Sequence, residues 1–480
     1  MKLGPLTVIK SETWKGYEER IEAQERDIRI ILERQERDIR IILEREGALM
    51  GQVDGCNNII KNLLNLSYDS KERTLSAEEI LKVGVERRKK KSAIFFHNSY
   101  YHYHYLSREL KSRGWYVSTV NIDDPGSRDN IFWHNSDIDL FDPDSEKMAA
   151  NFRNIHEEIL RRYNVVFFYG MGRTSMVPDF WFNNPFSDNL PRDTLTFRDF
   201  GIRIGHTTTG CYDINSRSSF SKWSDDACAN CSYNDKPEMC SDIVNLARGQ
   251  RVYSTCDIIE CEQMPALDYL TGEKVYHGPL TFALDPDVWS PALEIPEKHR
   301  LPREEGELIV YQGVANYAMR TSNGINLKGT WAVQEAIERL RAEGMNVRLE
   351  FCHDVPNQTV RFIQAQADVI VDQLLFGRYG AQGREGMMLG KPVIAHLNDK
   401  PDERGRVPDW LEECPVVRAT PDTIYGVLKD LLSNPDKREK IGKESRDYAL
   451  RYYSAGACAD RFEKVYEELV FNSRVLEFSV

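Results

Sequence analysis

The stretch from Ala367 to Leu397, ADVIVDQLLFGRYGAQGREGMMLGKPVIAHL, constrains this chain more than any other. Ala367 to Leu375 is an apolar, β-branched run, the pattern of a buried strand. Gly377 to Gly383 is rich in glycine. Arg384 to Leu389 reads as helix, stopped by Gly390 and Pro392, and Val393 to Leu397 reads as a second strand. Strand, glycine loop, helix and strand make one βαβ unit of a parallel sheet. Small residues let backbone N–H groups approach a phosphate, and a helix N-terminus favours its charge. Gly380 and Gly383 are the candidate phosphate-facing positions. Glu385, in the first helical turn, is placed to meet a ribose hydroxyl. The residues alone leave a nucleotide site and a plain scaffold unit both open.

The end of this stretch, Glu385-Gly386-Met387-Met388-Leu389-Gly390-Lys391-Pro392-Val393-Ile394-Ala395, resembles the donor-sugar loop of GT-B-fold glycosyltransferases, close to family 4. Weaker similarity runs from about Ser92 to Val470. The resemblance implies an α/β chain of two Rossmann-like, doubly wound domains facing a cleft. It implies transfer of a sugar from a nucleoside diphosphate-sugar to a hydroxyl of a glycan, lipid-linked or protein acceptor, with no catalytic metal. In that family a Glu-x7-Glu pattern places one glutamate on the transferred sugar and a second on the ribose. Here Gly377 stands where the first would be, and only Glu385 remains. Sugar choice and retaining stereochemistry are therefore open. Two other readings follow: a nucleotide-sugar epimerase, and a degenerate transferase acting as a scaffold.

Upstream, Leu308 to Gln312 is a strand pattern, Trp331 to Gly344 an amphipathic helix and Val347 to Cys352 a strand. The loop before that helix carries Arg320, Lys328 and Gly329, which match the family's diphosphate-binding arginine and Lys-Gly. Two cations there can offset the leaving group's charge. The second unit spans 307–454, and 455–480 reads as a closing helix and tail that the resemblance sends back onto the first domain.

The first unit spans 92–290. It opens with Ser92 to His97 as a strand, Tyr105 to Arg113 as a helix and Trp115 to Ile122 as a strand. Between the first strand and helix lie three histidines and four tyrosines from His97 to Tyr105. They suit either an acceptor-binding cleft or a bare His-x-His decoration. His97 and His206 are the candidate catalytic bases. Within 211–240, Cys211, Cys228, Cys231 and Cys240 are spaced C-x16-C-x2-C-x8-C in a segment poor in apolar residues. That spacing predicts a structural zinc, with an iron–sulfur cluster or free and disulfide-bonded thiols as alternatives.

Residues 1–50 contain QERDIRIILER twice in direct succession, Gln24 to Arg34 and Gln35 to Arg45. An apolar stripe through Ile28, Ile31, Leu32, Ile39, Ile42 and Leu43 predicts a coiled-coil helix that assembles a homo-oligomer. A helix folded onto its own catalytic unit is the alternative. Residues 51–91 read as a connector ending in Arg87-Arg88-Lys89-Lys90-Lys91, a solvated lead-in or at most a peripheral lipid contact. The 480 residues exceed what one core organises, and the net charge of −12 argues against non-specific nucleic-acid binding. No signal-like or membrane-spanning run is present, so a cytoplasmic protein is expected.

Overall fold

The computed structural model describes residues 77–96, 101–124, 135–176, 192–225, 227–262, 267–268, 274–398, 400 and 409–472. The predicted coiled coil, most of the connector and His97 lie outside the described residues.

Two parallel sheets organise the chain. The first has seven strands in the order β3-β2-β1-β4-β5-β6-β7. They are β1 (Ser92–Phe96), β2 (Tyr116–Asn121), β3 (Ile138–Asp139), β4 (Val165–Tyr169), β5 (Arg203–Thr207), β6 (Ile258–Glu260) and β7 (Val275–Tyr276). The second has five in the order β12-β11-β10-β8-β9. They are β8 (Leu308–Val314), β9 (Val347–His353), β10 (Val369–Val371), β11 (Val393–Ala395) and β12 (Val417–Arg418). Every strand in β1, β4, β10 and β11 is buried along its whole length save Tyr169, as expected where helices cover both faces of a parallel sheet. The doubly wound α/β expectation is met in both units.

Strand order reverses between β1 and β4 in the first sheet and between β8 and β10 in the second. Ligands of open α/β sheets bind beyond the strand C-termini at such switch points. The glycine stretch follows β10 directly, and its helix spans Ala381–Met388, three residues earlier than the sequence pattern suggested. Gly380 carries no side chain, so it cannot cap that helix, and the capping falls to another residue.

The chain then returns. Leu284 N–H donates to the Tyr453 carbonyl at 2.7 Å and Ala455 N–H to the Leu284 carbonyl at 2.8 Å. Helix Ala455–Glu467 packs on the first unit, where Arg113 bonds Asp460 at 2.7 Å, Trp115 Nε1 donates to Glu463 at 2.8 Å, and Asn164 Nδ2 donates to the Tyr466 hydroxyl at 2.8 Å. Among the described residues no helix is long and apolar enough to cross a membrane.

Candidate functional site

The β8/β10 switch point gathers the polar groups that the sequence singled out. Asp372 is the first residue after β10 and is fully buried. Its Oδ2 accepts from the Gly380 N–H at 2.5 Å and the Gly383 N–H at 3.0 Å, and Lys328 Nζ donates to its Oδ1 at 2.6 Å. Asp372 thus caps the Ala381–Met388 helix from the preceding strand. A Cβ at Gly383 would lie 2.8 Å from Tyr379 Cβ and 3.0 Å from Asp372 Oδ2, so only glycine admits this approach. Gly329 takes φ +68, in the left-handed region, and turns Lys328 toward the loop. Asn326 Oδ1 accepts from the Lys328 N–H at 3.1 Å, and Gln312 Nε2 donates to the Lys328 carbonyl at 3.0 Å. The lysine's backbone is therefore held on both sides, while its side chain stays 15% exposed.

Glu385 lies one helical step further in and is 3% exposed. Asn357 Nδ2 donates to its Oε1 at 3.0 Å and Gln364 Nε2 to its Oε2 at 2.8 Å. Burial pushes its carboxyl up, against these amide donors and the charges of Arg384 and Lys328. Lys328, Gly329, Gly380, Gly383 and Glu385 so share one corner of the second unit. Arg320 differs in setting: it ends the short helix Tyr317–Arg320 and is exposed.

In the first unit His206 lies inside β5, opposite Phe168 and Ile259, and is fully buried. Its Nδ1 is 2.9 Å from the Arg173 carbonyl, and burial lowers its pKa. Burial disfavours the charged ring, and because a carbonyl only accepts, Nδ1 is the nitrogen that donates. The described part of the tyrosine-rich loop is largely buried. Tyr101, His102, Tyr103 and Tyr105 are at most 4% exposed. Tyr103 donates to the Phe168 carbonyl at 3.1 Å and Thr207 Oγ1 at 2.9 Å. Large rings whose polar tips find buried partners belong to a core.

A feature that sequence reasoning missed joins the two units. Arg384, 1% exposed, donates from Nη1 to Glu262 Oε2 at 2.6 Å, with Glu262 fully covered. Its guanidinium lies 4.4 Å from the centre of the Phe282 ring, and Nη2 is 3.4 Å from His102 Nε2. Burial opposes the charge on Arg384, but Glu262, Tyr101 and Tyr453 hold its pKa above the ordinary value. The available signal was an arginine set among the small and apolar residues of Gly383 to Met388.

The zinc expectation finds no support in the structure. Cys211, Cys228, Cys231 and Cys240 are free and half-buried, and among the described residues no three or more His, Cys, Asp or Glu side chains are gathered to hold a metal ion. Burial raises the Cys211 thiol, and the other three raise it further. The segment is held by aromatic packing instead. Phe220 and Trp223 form a buried cluster with Phe376 of the second unit, with Cys211 and Cys228 against it. The Arg378 guanidinium lies 4.7 Å from the Trp223 ring centre, and Lys400 Nζ bonds Asp225 at 2.6 Å.

Two parallel sheets with switch-point loops facing each other, and a last helix returning to the first unit, define the GT-B fold of glycosyltransferases. Sucrose-phosphate synthase from Thermosynechococcus elongatus superposes with a TM-score of 0.50 at 14% identity, over 80% of this chain and 100% of that chain. Anabaena HepE in complex with UDP and glucose gives 0.48 at 10% identity, over 79% of this chain and 100% of that one. The catalytic domain of starch synthase IV from Arabidopsis thaliana, bound to ADP and acarbose, gives 0.45 at 13% identity, over 79% and 99%. No protein-family model and no curated protein sequence matches the chain.

Proposed function

We propose that the chain is a glycosyltransferase that takes a nucleoside diphosphate-sugar and delivers the sugar to an acceptor hydroxyl. The observation that carries this is the convergence of the Lys328 ammonium and the Gly380 and Gly383 N–H groups on one anion at the β8/β10 switch point. In the reaction the bond from the anomeric carbon to the diphosphate breaks and a bond to the acceptor oxygen forms. The acceptor proton goes to a base of the first unit, for which His97 and His206 are the candidates. Charge develops on the departing diphosphate, where Lys328, the two N–H groups and Arg320 would stabilise it without a metal. Glu385 would hold the ribose, with Asn357 and Gln364 fixing its orientation.

A second reading, a degenerate scaffold, is favoured by Gly377 and by the fact that the anion already seated is the protein's own Asp372. Thermal shift with UDP, GDP, ADP and dTDP separates the two. Ligand at about 100 times Kd stabilises by about 2.7 kcal/mol, and Lys328→Ala should abolish the shift and cut turnover about 100-fold or more. No shift with any nucleotide favours the scaffold, and turnover of donor alone an epimerase. Self-association through residues 1–50 is part of the proposal. Light scattering should show a smaller particle once residues 1–47 are removed, and an unchanged mass would sink it.

A further inference from the structure

Three of the groups assigned above to the donor diphosphate are engaged by one carboxylate, while Arg320 stands apart and exposed. Lys328 Nζ, the Gly380 N–H and the Gly383 N–H meet Asp372 at 2.6, 2.5 and 3.0 Å. We propose that Asp372 is an internal occupant of the anion site. A nucleoside diphosphate then binds by displacing this carboxylate from the lysine and the loop, and Asp372 sets the donor affinity. The inference rests on the function proposed above and adds to it a residue that controls access.

Three features support displacement over a purely structural cap. A helix N-terminus is satisfied by an oxygen on one or two N–H groups. Here the same carboxylate also takes a cation from a different loop, whose turn depends on Gly329 in the left-handed region. The two partners are also unequally covered. Lys328 is 15% exposed and Asp372 fully buried, so an anion arriving from solvent meets the ammonium first. Finally, Gly383 has no Cβ where one would lie 3.0 Å from the carboxylate oxygen, and Gly380 would place one 3.6 Å away. Both glycines leave the carboxylate oxygen in reach of their N–H groups without a Cβ of their own to crowd it. Two anions cannot share these donors at close range, because nearby like charges repel strongly where water is scarce. The incoming diphosphate and Asp372 are therefore competitors.

The test uses the full chain and two probes, inorganic pyrophosphate and UDP, titrated by calorimetry into wild type, Asp372→Asn and Lys328→Gln. Asp372→Asn should bind pyrophosphate about ten-fold or more tighter than wild type while melting at a lower temperature without ligand. Lys328→Gln should lose binding. Wild type that binds nothing beside Asp372→Asn that binds also supports the role. Equal or weaker binding by a cooperatively melting Asp372→Asn overturns it and leaves the donor site standing. No binding by any of the proteins overturns the donor site itself. If Asp372→Asn does not fold, a crystal structure of wild type with pyrophosphate decides. The Asp372 side chain should have left Lys328, and an intact Lys328–Asp372 contact with pyrophosphate bound overturns the proposal.

Discussion

At the edge of the second sheet Asp372 meets Lys328, a cation still 15% exposed, and backbone N–H groups of its own loop. Beyond the first sheet's β6, Glu262 meets Arg384, a cation 1% exposed that belongs to the other unit. Both are buried acids beyond parallel strands, where α/β folds place ligands. The first pair has a solvent-side member and can be opened by an incoming anion. The second is sealed between units and can be opened only by parting them. Position in the fold is thus not enough to define a site; the two pairs differ in the access of the counter-ion to solvent.

The largest effect should come from the sealed joint. Arg384→Met leaves Glu262 buried without a counter-charge, which costs about 3 to 5 kcal/mol. Adding Glu262→Leu should return most of that loss. Chemical denaturation of the three proteins checks both steps, and a single-variant loss under about 1 kcal/mol would mean that water reaches the pair. At the open pair, Lys328→Ala should cost less stability, about 2 kcal/mol, while removing the nucleotide response. Equal losses at the two places would erase the distinction.

Glu260, at the end of β6, sharpens the contrast through pH. Its Oε1 accepts from the Leu280 and Thr281 N–H groups at 2.7 Å each, and Thr207 Oγ1 donates to Oε2 at 2.9 Å. Burial nevertheless pushes its pKa up to about 7. An unfolded glutamate titrates near 4.3, so between these values the folded chain holds a proton that the unfolded chain has released. Stability from this group is fully present below about pH 4.3 and is lost as pH rises through about 7, a change of about 4 kcal/mol. Glu260→Gln should flatten that part of the stability profile. An unchanged slope in denaturation midpoints from pH 4.5 to 8 would show that these three donors, with the Thr281 hydroxyl as a fourth, keep the carboxylate charged throughout.

What was legible in the sequence follows local pattern. Continuous apolar runs such as Ser92 to His97 and Val393 to Leu397 announced the parallel strands, and the glycine loop with Lys328-Gly329 announced the switch-point corner. Short strands such as Ile138–Asp139 and Val275–Tyr276 did not register, because two residues carry no period. The long helix Ser145–Arg162, capped by Asp144, was also overlooked although its cap and apolar spacing were there to read. Long-range partners were out of reach: nothing local says that Arg384 meets Glu262, 122 positions away. The segment around the cysteines read as poor in apolar residues, yet Phe220 and Trp223 give it a buried cluster with Phe376 of the other unit, a long-range contact that local spacing does not carry.

Gly377 offers the smallest perturbation and touches both regions. It stands where the resembling family carries its first glutamate, and it takes φ +86. A Cβ there would lie 3.1 Å from Asn398 Cβ and 3.1 Å from Trp223 Cη2, so the cysteine-rich segment of the first unit fills the space that a side chain would need. Gly377→Ala should cost about 1 to 2 kcal/mol, the usual penalty for a side chain in the left-handed region, with the close contacts adding to it. The same variant should loosen Trp223, which Arg378 covers and whose carbonyl accepts from Lys400 at 3.1 Å. Tryptophan fluorescence and the melting temperature report on the two effects together. Loss of stability with an unmoved Trp223 signal would confine the glycine's role to its own backbone. A change in both would make this contact, rather than a glutamate, the means by which the first unit reaches the donor loop.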